Sequence, residues 1–394
     1  MIEQLDDLGD SAEARGRVLA AVDAHTAEAL ASRGGGQVEA VERVEAEVAA
    51  APERAFRFAA DGSAVLVAGR RRYQAGRFEV LALCELRARA LAARARAGRP
   101  DRPSARRRLW ILDGASPASD IGALQATAAP GSMFQVASQF NCLESPGAYV
   151  SPVHQYLTDP TQGPRASISA FPGTLLRHYS APGVGGHRFV QATDAAQLEL
   201  LAEVCEPDVA KVHNGYLRSQ SILDPAAFAH ALTERFEHIA VGVHDGVEVV
   251  LGADWAGAVA GAPHRTISQV FTSTVAGGMY GSVADDPAGA QICQQLQRAA
   301  YLGTLLAAAA LGKRRVVLTL IGGGVFANPI RAIWDAILWA ADQVAYALHD
   351  DLSIVLNGRD LSHQLPMAEL LAEARARDGG VLVLDRGQPA TFVS

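Results

Sequence analysis

The stretch VVLTLIGGGVFANPIRAIWDAI, residues 316–337, decides the fold that this sequence predicts. It begins with a continuous hydrophobic run, which is typical of a strand buried on both faces of a sheet. Three consecutive glycines follow, and then Asn328 and Pro329, which suit the N-cap and the first turn of a helix. A buried strand, a glycine-rich turn and a helix therefore succeed one another directly.

The glycines at 322–324 predict a binding site for an anion. Glycine lets the backbone take positive φ and lets a ligand approach closely. The free N–H groups and the positive end of the helix dipole favour a phosphate or a diphosphate. No Lys-Ser/Thr pair follows the glycines and their spacing is not GxGxxG, so neither a P-loop nor a Rossmann motif is indicated. A tight structural turn is the alternative interpretation.

Strand and helix patterns alternate through the chain on both sides of this stretch. Hydrophobic runs predict a buried strand at 108–114, a strand that runs into a polar turn at 133–140 and a further strand at 353–358. Residues 288–312 predict a long apolar helix, whereas residues 165–179, interrupted by a Pro-Gly pair, predict extended chain. This alternation predicts an α/β fold with a mixed sheet flanked by helices.

The N-terminal part of the chain has a different character. Residues 1–50 are rich in Ala, Glu and Arg and predict exposed helices, and alternating runs around Asp61-Gly62 predict a β-hairpin. Nine arginines lie between Arg87 and Arg108. A solvated helix face followed by a linker is the favoured interpretation, and phosphate or nucleic-acid binding is the alternative. We predict an N-terminal helical and hairpin region at 1–105 and an α/β domain at 106–394.

Composition and charge exclude several classes of function. The chain has 42 acidic and 35 basic residues, a net charge of −7 that argues against a nucleic-acid partner. Its four cysteines form no CxxC pair and its histidines lack ligand spacing, so we expect no disulfide framework and no metal. We expect no required cofactor. The longest apolar stretch is too short to span a bilayer and no secretory signal is visible, which predicts a cytoplasmic protein without a membrane partner.

Two polar clusters and one loop complete the candidate site. The first cluster lies where the strand that begins MFQVAS gives way to polar residues, and amides at a strand end suit ribose hydroxyls while a carboxylate can orient a sugar or a water. It consists of Gln139, Asn141 and Glu144. The second cluster is a turn that contains Asp159, Thr161, Gln162 and Gly163, with a solvent-facing turn as the alternative interpretation. The glycine-rich loop 276–286 is predicted to close over a ligand, with Tyr280 stacking on an adenine.

These segments together resemble a divergent macrodomain family. The resemblance rests on FQVASQFNCLE, DPTQGP, VGVHDGVEV, SQVFTS, AAYLGTLLAAA and LTLIGGGVFANP in this order, and it covers roughly residues 70–350. The family includes an enzyme that removes ADP-ribose from ubiquitin arginine and is distantly similar to poly(ADP-ribose) glycohydrolases. The resemblance implies a macrodomain-like mixed sheet and recognition of ADP-ribose or an NAD-derived ligand.

The resemblance also implies roles for individual residues. The diphosphate and the distal ribose would contact Gly322, Gly323, Gly324, Val325, Phe326 and Asn328. The distal ribose would face Gln139, Asn141 and Glu144, with Asp159, Thr161 and Gln162 in the same cleft. Glu144, Asp159 and Glu248 are the candidate catalytic carboxylates. One of them would orient a water and stabilise an oxocarbenium-like transition state.

The function that follows is cleavage or rearrangement of the glycosidic bond of an ADP-ribosyl conjugate or an NAD-derived metabolite. The partner would be an ADP-ribosyl small molecule or an ADP-ribosylated protein. The alternatives are a non-catalytic module that binds ADP-ribose and a biosynthetic enzyme that uses an ADP-ribosyl substrate. Leu302 and Gly246 stand where the family pattern has acids. We therefore predict slow hydrolysis or an unusual substrate.

Overall fold

A computed structural model gives the architecture of the chain. It describes residues 1–5, 12–31, 37–98, 108–147, 149–159, 161–191, 196–250, 265–282, 284–345, 347, 352–384 and 388–393.

The helices of this part of the chain are α1 (Ile2–Leu5), α2 (Ala12–Ala31), α3 (Gln37–Ala50), α4 (Pro52–Ala55), α5 (Leu83–Arg96), α6 (Ile121–Thr127), α7 (Gln162–Ser169), α8 (Phe171–Tyr179), α9 (Pro225–Glu234), α10 (Pro287–Ala310), α11 (Ile330–Gln343) and α12 (Met367–Arg375).

The strands are β1 (Phe56–Phe58), β2 (Ala64–Ala68), β3 (Arg71–Ala82), β4 (Arg108–Asp113), β5 (Met133–Ala137), β6 (Ala181–Pro182), β7 (Arg188–Phe189), β8 (Leu217–Arg218), β9 (Ala240–Glu248), β10 (Thr266–Thr272), β11 (Val275–Ala276), β12 (Arg315–Thr319), β13 (Ser353–Asn357), β14 (Gly380–Val383) and β15 (Thr391–Val393).

One large sheet organises the described part of the protein. Its strands follow the order β1-β2-β3-β9-β10-β5-β12-β13-β4-β14-β15. The strands from β10 to β14 in this order are parallel, whereas β1, β2, β3, β9 and β15 pair in an antiparallel way. The central residues of the parallel strands β4, β5, β12 and β13 are buried, as expected for parallel strands covered by helices. The predicted α/β class with a mixed sheet is confirmed.

Helices cover both faces of this sheet. Gln135 of β5 donates a hydrogen bond to Thr304 Oγ1 of α10 at 3.0 Å. Gln269 of the neighbouring strand β10 donates to Ala166 O of α7 at 2.8 Å. Because Gln135 is paired with Val270, the residue next to Gln269, the two glutamines point to opposite faces. α10 and α7 therefore lie on opposite sides of the sheet.

The N-terminal helices and hairpin are present and join the same core. Val22 of α2 and Val48 of α3 belong to the buried cluster that includes the sheet, so the prediction of exposed helices is wrong for these faces. β3 pairs with β9 over Arg77–Ala82, which extends the sheet into the N-terminal part. The boundary proposed between residues 105 and 106 lies outside the described residues, and the division into two domains stays a prediction.

Residues 165–179 differ from the sequence prediction. They form the end of α7 and all of α8, which meet at Ala170. Pro172 lies in the first turn of α8, where proline is tolerated because its missing N–H has no partner within the helix anyway. The Pro-Gly pair thus starts a helix here. In the part of the chain that the structure describes, no helix has both the length and the apolar character needed to cross a bilayer.

Candidate functional site

A cavity of about 620 Å³ opens at the carboxyl ends of the parallel strands. Ala137, Thr319 and Asn357, the last residues of β5, β12 and β13, line it. Thr319 and Asn357 are direct partners in the sheet. Ligands of open α/β sheets bind beyond the carboxyl ends of the strands, and this volume is within the range of small-molecule sites. We therefore take the cavity as the candidate functional site.

The glycine loop, defined here as residues 321–329, connects β12 to α11 and forms one wall of the cavity. Gly322 has a φ of +75°, and a Cβ there would lie 2.5 Å from Thr274 Cγ2, so the position requires glycine. At Gly324, in contrast, an added Cβ would meet no heavy atom of the described residues within 4 Å. Gly324 is exposed and lines the cavity. The loop therefore leaves its backbone open to a ligand beside the start of α11.

Asn328 holds the glycine loop in place. Its Nδ2 donates to Val275 O at 2.9 Å and to Phe326 O at 3.2 Å, and its Oδ1 accepts from Thr274 Oγ1 at 3.0 Å. The side chain is buried and does not belong to the cavity lining, so the structure does not place Asn328 with the other predicted ligand-binding residues. The predicted N-cap role is wrong, because Pro329 occupies that position.

Glu144 is a buried carboxyl group in the cavity wall. Its Oε1 accepts no hydrogen bond from any residue that the structure describes, and its backbone N–H donates to Tyr156 Oη at 2.7 Å. Burial raises the pKa of Glu144 well above its usual value, the charge of Asp159 raises it further, and Arg177 opposes both effects. A carboxyl group with a raised pKa in a cavity can hold a proton and donate it to a leaving group.

Asp159 and its turn lie in the same cavity as Glu144. The N–H and the Oγ1 of Thr161 donate to Asp159 Oδ1 at 2.8 and 2.6 Å, which closes the turn. Gly163 packs directly against Glu144, since a Cβ there would lie 2.9 Å from both carboxyl oxygens. The structure thus brings these residues together, as the sequence predicts.

Two predicted glutamines line the cavity but use their amides to hold loops. Gln139 donates from Nε2 to Ser145 O at 2.9 Å and accepts at Oε1 from Ser145 N at 3.1 Å. Gln162 accepts at Oε1 from Ile121 N at 2.9 Å and donates from Nε2 to Asp120 Oδ2 at 3.3 Å. Both residues lie in the cavity lining, and their side chains fix the backbone around it.

Tyr216, Tyr280 and Phe326 form an aromatic wall. The ring centroids of Tyr216 and Tyr280 are 5.2 Å apart, and those of Tyr280 and Phe326 are 5.6 Å apart. Tyr280 Oη donates to Pro146 O at 3.0 Å, which ties the described part of the loop 276–286 to the loop that follows Glu144. The loop therefore borders the cavity, while the stacking of Tyr280 on an adenine stays a prediction.

Glu248 and Asn141 do not line the cavity. β9 is antiparallel to β10, and Glu248 pairs with Thr266 at the start of β10. Glu248 therefore lies at the opposite end of the sheet, where its Oε2 accepts from Gln74 N at 2.8 Å. Asn141 is buried, and its Nδ2 donates to Gln197 Oε1 at 2.9 Å. The positions of these residues do not support the catalytic role predicted for Glu248 or the ribose contact predicted for Asn141.

The two positions that depart from the family pattern also lie away from the cavity. Leu302 is buried in α10 within the hydrophobic core, and Gly246 lies two residues from Glu248 in β9. Neither lines the cavity. The prediction of slow hydrolysis, which rests on these positions, therefore has no support from the geometry of the site.

The segment after β13 is a part of the site that sequence reasoning missed. Asn357 and Arg359 line the cavity, and Arg359 is the basic residue of the described lining. Asn357 Oδ1 and the neighbouring Thr319 Oγ1 are buried and have no hydrogen-bond partner among the described residues. The signal was present in the run SIVLNGRD, because polar residues directly follow a buried strand there.

Structural comparison finds similarity to poly(ADP-ribose) glycohydrolases. The glycohydrolase of Thermomonospora curvata, crystallised with the inhibitor ADP-HPD, has 14% identity and a TM-score of 0.40, over 81% of this chain and 92% of that one. That of Deinococcus radiodurans, in complex with ADP-ribose, has 12% identity and a TM-score of 0.39, over 72% of this chain and 87% of that one. No protein-family profile and no curated protein matches the sequence.

A metal site would need several donor side chains of the described residues to come together. Among them, no three His, Cys, Asp or Glu side chains come together closely enough to hold a metal ion. The absence of a metal and of a required cofactor stays a prediction.

Proposed function

We propose that this protein binds ADP-ribosyl compounds in the cavity and hydrolyses their glycosidic bond. One observation carries the proposal: Glu144, a buried carboxyl group with an unpartnered oxygen, lines the same cavity as the open backbone of Gly324. The first group suits acid–base chemistry, and the second suits an anionic anchor. A ligand that carries a diphosphate close to the glycosidic bond to be cleaved would meet both Glu144 and the backbone of Gly324.

The rest of the lining fits the two ends of such a ligand. The diphosphate would contact the glycine loop at the start of α11, where the helix dipole favours negative charge. The unpartnered oxygens of Thr319 and Asn357 would accept hydrogen bonds from the nucleoside. Arg359 would add a positive charge near the phosphates. The distal ribose would lie beside Glu144 and the aromatic wall.

The proposed chemistry uses Glu144 twice. The bond between the anomeric carbon and the leaving-group nitrogen or oxygen breaks, and the leaving group takes the proton of Glu144. The positive charge that develops on the ribose is stabilised by the Asp159 carboxylate. Water then adds to the anomeric carbon and gives its proton back to Glu144, which restores the starting state.

The sequence resemblance to macrodomains supports the same assignment and suggests which substrate to assay first. An arginine-linked conjugate is that substrate, because the family includes an enzyme that acts on ubiquitin arginine. We also propose that the protein acts in the cytoplasm, where it would encounter such conjugates.

Titration and a substrate panel test the proposal. Calorimetry with ADP-ribose, AMP and ribose 5-phosphate should show the tightest binding for ADP-ribose. Incubation with arginine-, glutamate- and serine-linked conjugates should release ADP-ribose from at least one of them. Binding without release from any conjugate would favour the non-catalytic module. Failure to bind ADP-ribose at millimolar concentration would refute the proposal.

A further inference from the structure

Glu45 of α3 is a buried carboxylate whose partners belong to two other segments of the chain. It is only 4% exposed. Its Oε1 accepts from Val153 N at 2.6 Å and from Tyr179 Oη at 2.9 Å. Its Oε2 accepts from His154 N at 2.9 Å and lies 2.7 Å from His154 Nδ1. One side chain of the N-terminal region therefore holds the start of the 3-10 helix Val153–Leu157 and the end of α8.

The same 3-10 helix carries Tyr156, which holds Glu144. Tyr156 Oη accepts from Glu144 N at 2.7 Å and lies 2.8 Å from His178 Nε2. Burial lowers the pKa of His178 to about 3, so the imidazole is neutral and can accept the tyrosine proton. The hydroxyl of Tyr156 is thereby fixed between the backbone of Glu144 and His178.

The chain around Glu144 needs such support, because it follows a tight turn. Cys142 has a φ of +61°, which is an uncommon conformation for a residue other than glycine. Arg177 Nε donates to Cys142 O at 3.1 Å and holds the turn from one side. Tyr156 holds the chain that follows the turn, at Glu144 itself. The position of the Glu144 carboxyl group therefore depends on where Tyr156 lies.

We propose that Glu45 is a positioning residue for Glu144, acting through the 3-10 helix and Tyr156. This inference rests on the proposed function, because it assumes that Glu144 acts on a substrate. Glu45 does not line the cavity, so its effect is on the placement of a group and not on ligand contact. The N-terminal helices would then be part of the functional unit, a role that the sequence did not indicate.

A charged acceptor is needed at Glu45. Each carboxylate oxygen takes two contacts, and three of the partners are backbone or hydroxyl donors. Glutamine has nearly the same shape but only one acceptor oxygen, so its amide hydrogens would face a donor in this buried place. Glu45→Gln should therefore shift the 3-10 helix, while Glu47→Gln on the exposed side of the same helix should not.

Steady-state kinetics and hydrogen exchange test the proposal in the full-length chain. Glu45→Gln should lower kcat for ADP-ribose release about 10- to 100-fold, as expected for a small misplacement of the reacting group. KM should stay within about twofold, because the ligand contacts remain. Amide exchange should rise in peptides that cover 143–157 and stay unchanged in the glycine loop. Glu47→Gln is the matched control and should behave as wild type.

A double-mutant cycle tests the route through Tyr156. Tyr156→Phe should lower kcat, and the double variant should lose little more than the larger single loss, because both changes affect one path. If the two changes acted independently, their fold losses of kcat would multiply, and that result would overturn the route through Tyr156. Should Glu45→Gln not fold, Tyr179→Phe and His154→Ala each remove a partner of Glu45 and should lower kcat in the same direction. Wild-type kcat in both would overturn the proposal.

The results of these experiments distinguish failure of this inference from failure of the proposed function. Turnover by wild type, with kcat and exchange of 143–157 in Glu45→Gln equal to those of Glu47→Gln, would overturn the inference alone. No turnover of any conjugate by wild type would refute the proposed function. In that case, equal exchange in the two variants would also refute the structural coupling between Glu45 and Glu144.

Discussion

Gly324→Val should weaken ligand binding while leaving the free energy of unfolding almost unchanged. An added Cβ at Gly324 meets no heavy atom of the described residues within 4 Å, and the residue is exposed. The free energy of unfolding should therefore change by about 0.5 kcal/mol or less. The branched side chain would instead occupy the space where a phosphate approaches the backbone. Loss of one hydrogen bond to a charged group removes about 1.5–3 kcal/mol of binding free energy.

This loss corresponds to an increase in the Kd for ADP-ribose of about 10- to 150-fold, at 1.4 kcal/mol for each factor of ten. Calorimetry with ADP-ribose and with adenosine measures it, and adenosine, which has no phosphate, should bind the variant and wild type equally. Gly16→Val in the exposed part of α2 is the matched control, since an added Cβ there is also free. Unchanged affinity for ADP-ribose in a folded Gly324→Val protein would refute the placement of the diphosphate. Gly323 is unsuitable, because its Cβ would lie 2.8 Å from Ile330 Cδ1.

Three further predictions concern Glu144, Asn328 and Glu248. Because the pKa of Glu144 is raised in the folded state, the contribution of this group to the stability of wild type is lost as pH rises above about 4.3, the pKa of an unfolded glutamate. The free energy of unfolding of wild type minus that of Glu144→Gln, measured by urea unfolding, should therefore be lower at pH 7.5 than at pH 4. A pH-independent difference would contradict the raised pKa. Asn328→Ala should lower the free energy of unfolding by about 1–3 kcal/mol, because buried partners such as Thr274 lose their acceptor; an unchanged urea midpoint would count against its role in the loop. Glu248→Gln should leave kcat and KM unchanged, because Glu248 lies at the opposite end of the sheet from the cavity. A tenfold loss of kcat would contradict this prediction.

The parts of the site that were predictable from the sequence depend on local rules. The glycine loop could be found because three glycines between a hydrophobic run and a helix start have few other interpretations. Glu144 could be found because polar residues after a predicted strand gather at one edge of a parallel sheet. Asp159 could be found because it begins a turn rich in polar residues. The same rule applies to Asn357 and Arg359, which could have been predicted in the same way.

The differences between the predicted and the observed positions depend on strand direction and side-chain orientation, which the sequence does not show directly. Glu248 also ends a strand, but β9 runs against its neighbour β10, so its carboxyl end is at the far side of the sheet. Asn328 lies in the correct loop, yet its side chain points inward and holds the loop. Glu45 is separated from its partner Val153 by more than a hundred residues, and no pattern near it indicated a role.

The most direct measurement of the central claim is a single-turnover assay of ADP-ribose release by wild type and Glu144→Gln, with the affinity of both for ADP-ribose measured in parallel. If Glu144 donates the proton to the leaving group, the variant should release ADP-ribose about 10²- to 10⁴-fold more slowly and bind it with a similar Kd. The rate of wild type should also fall as pH rises through the raised pKa of Glu144. Equal release rates in the two proteins would contradict the account.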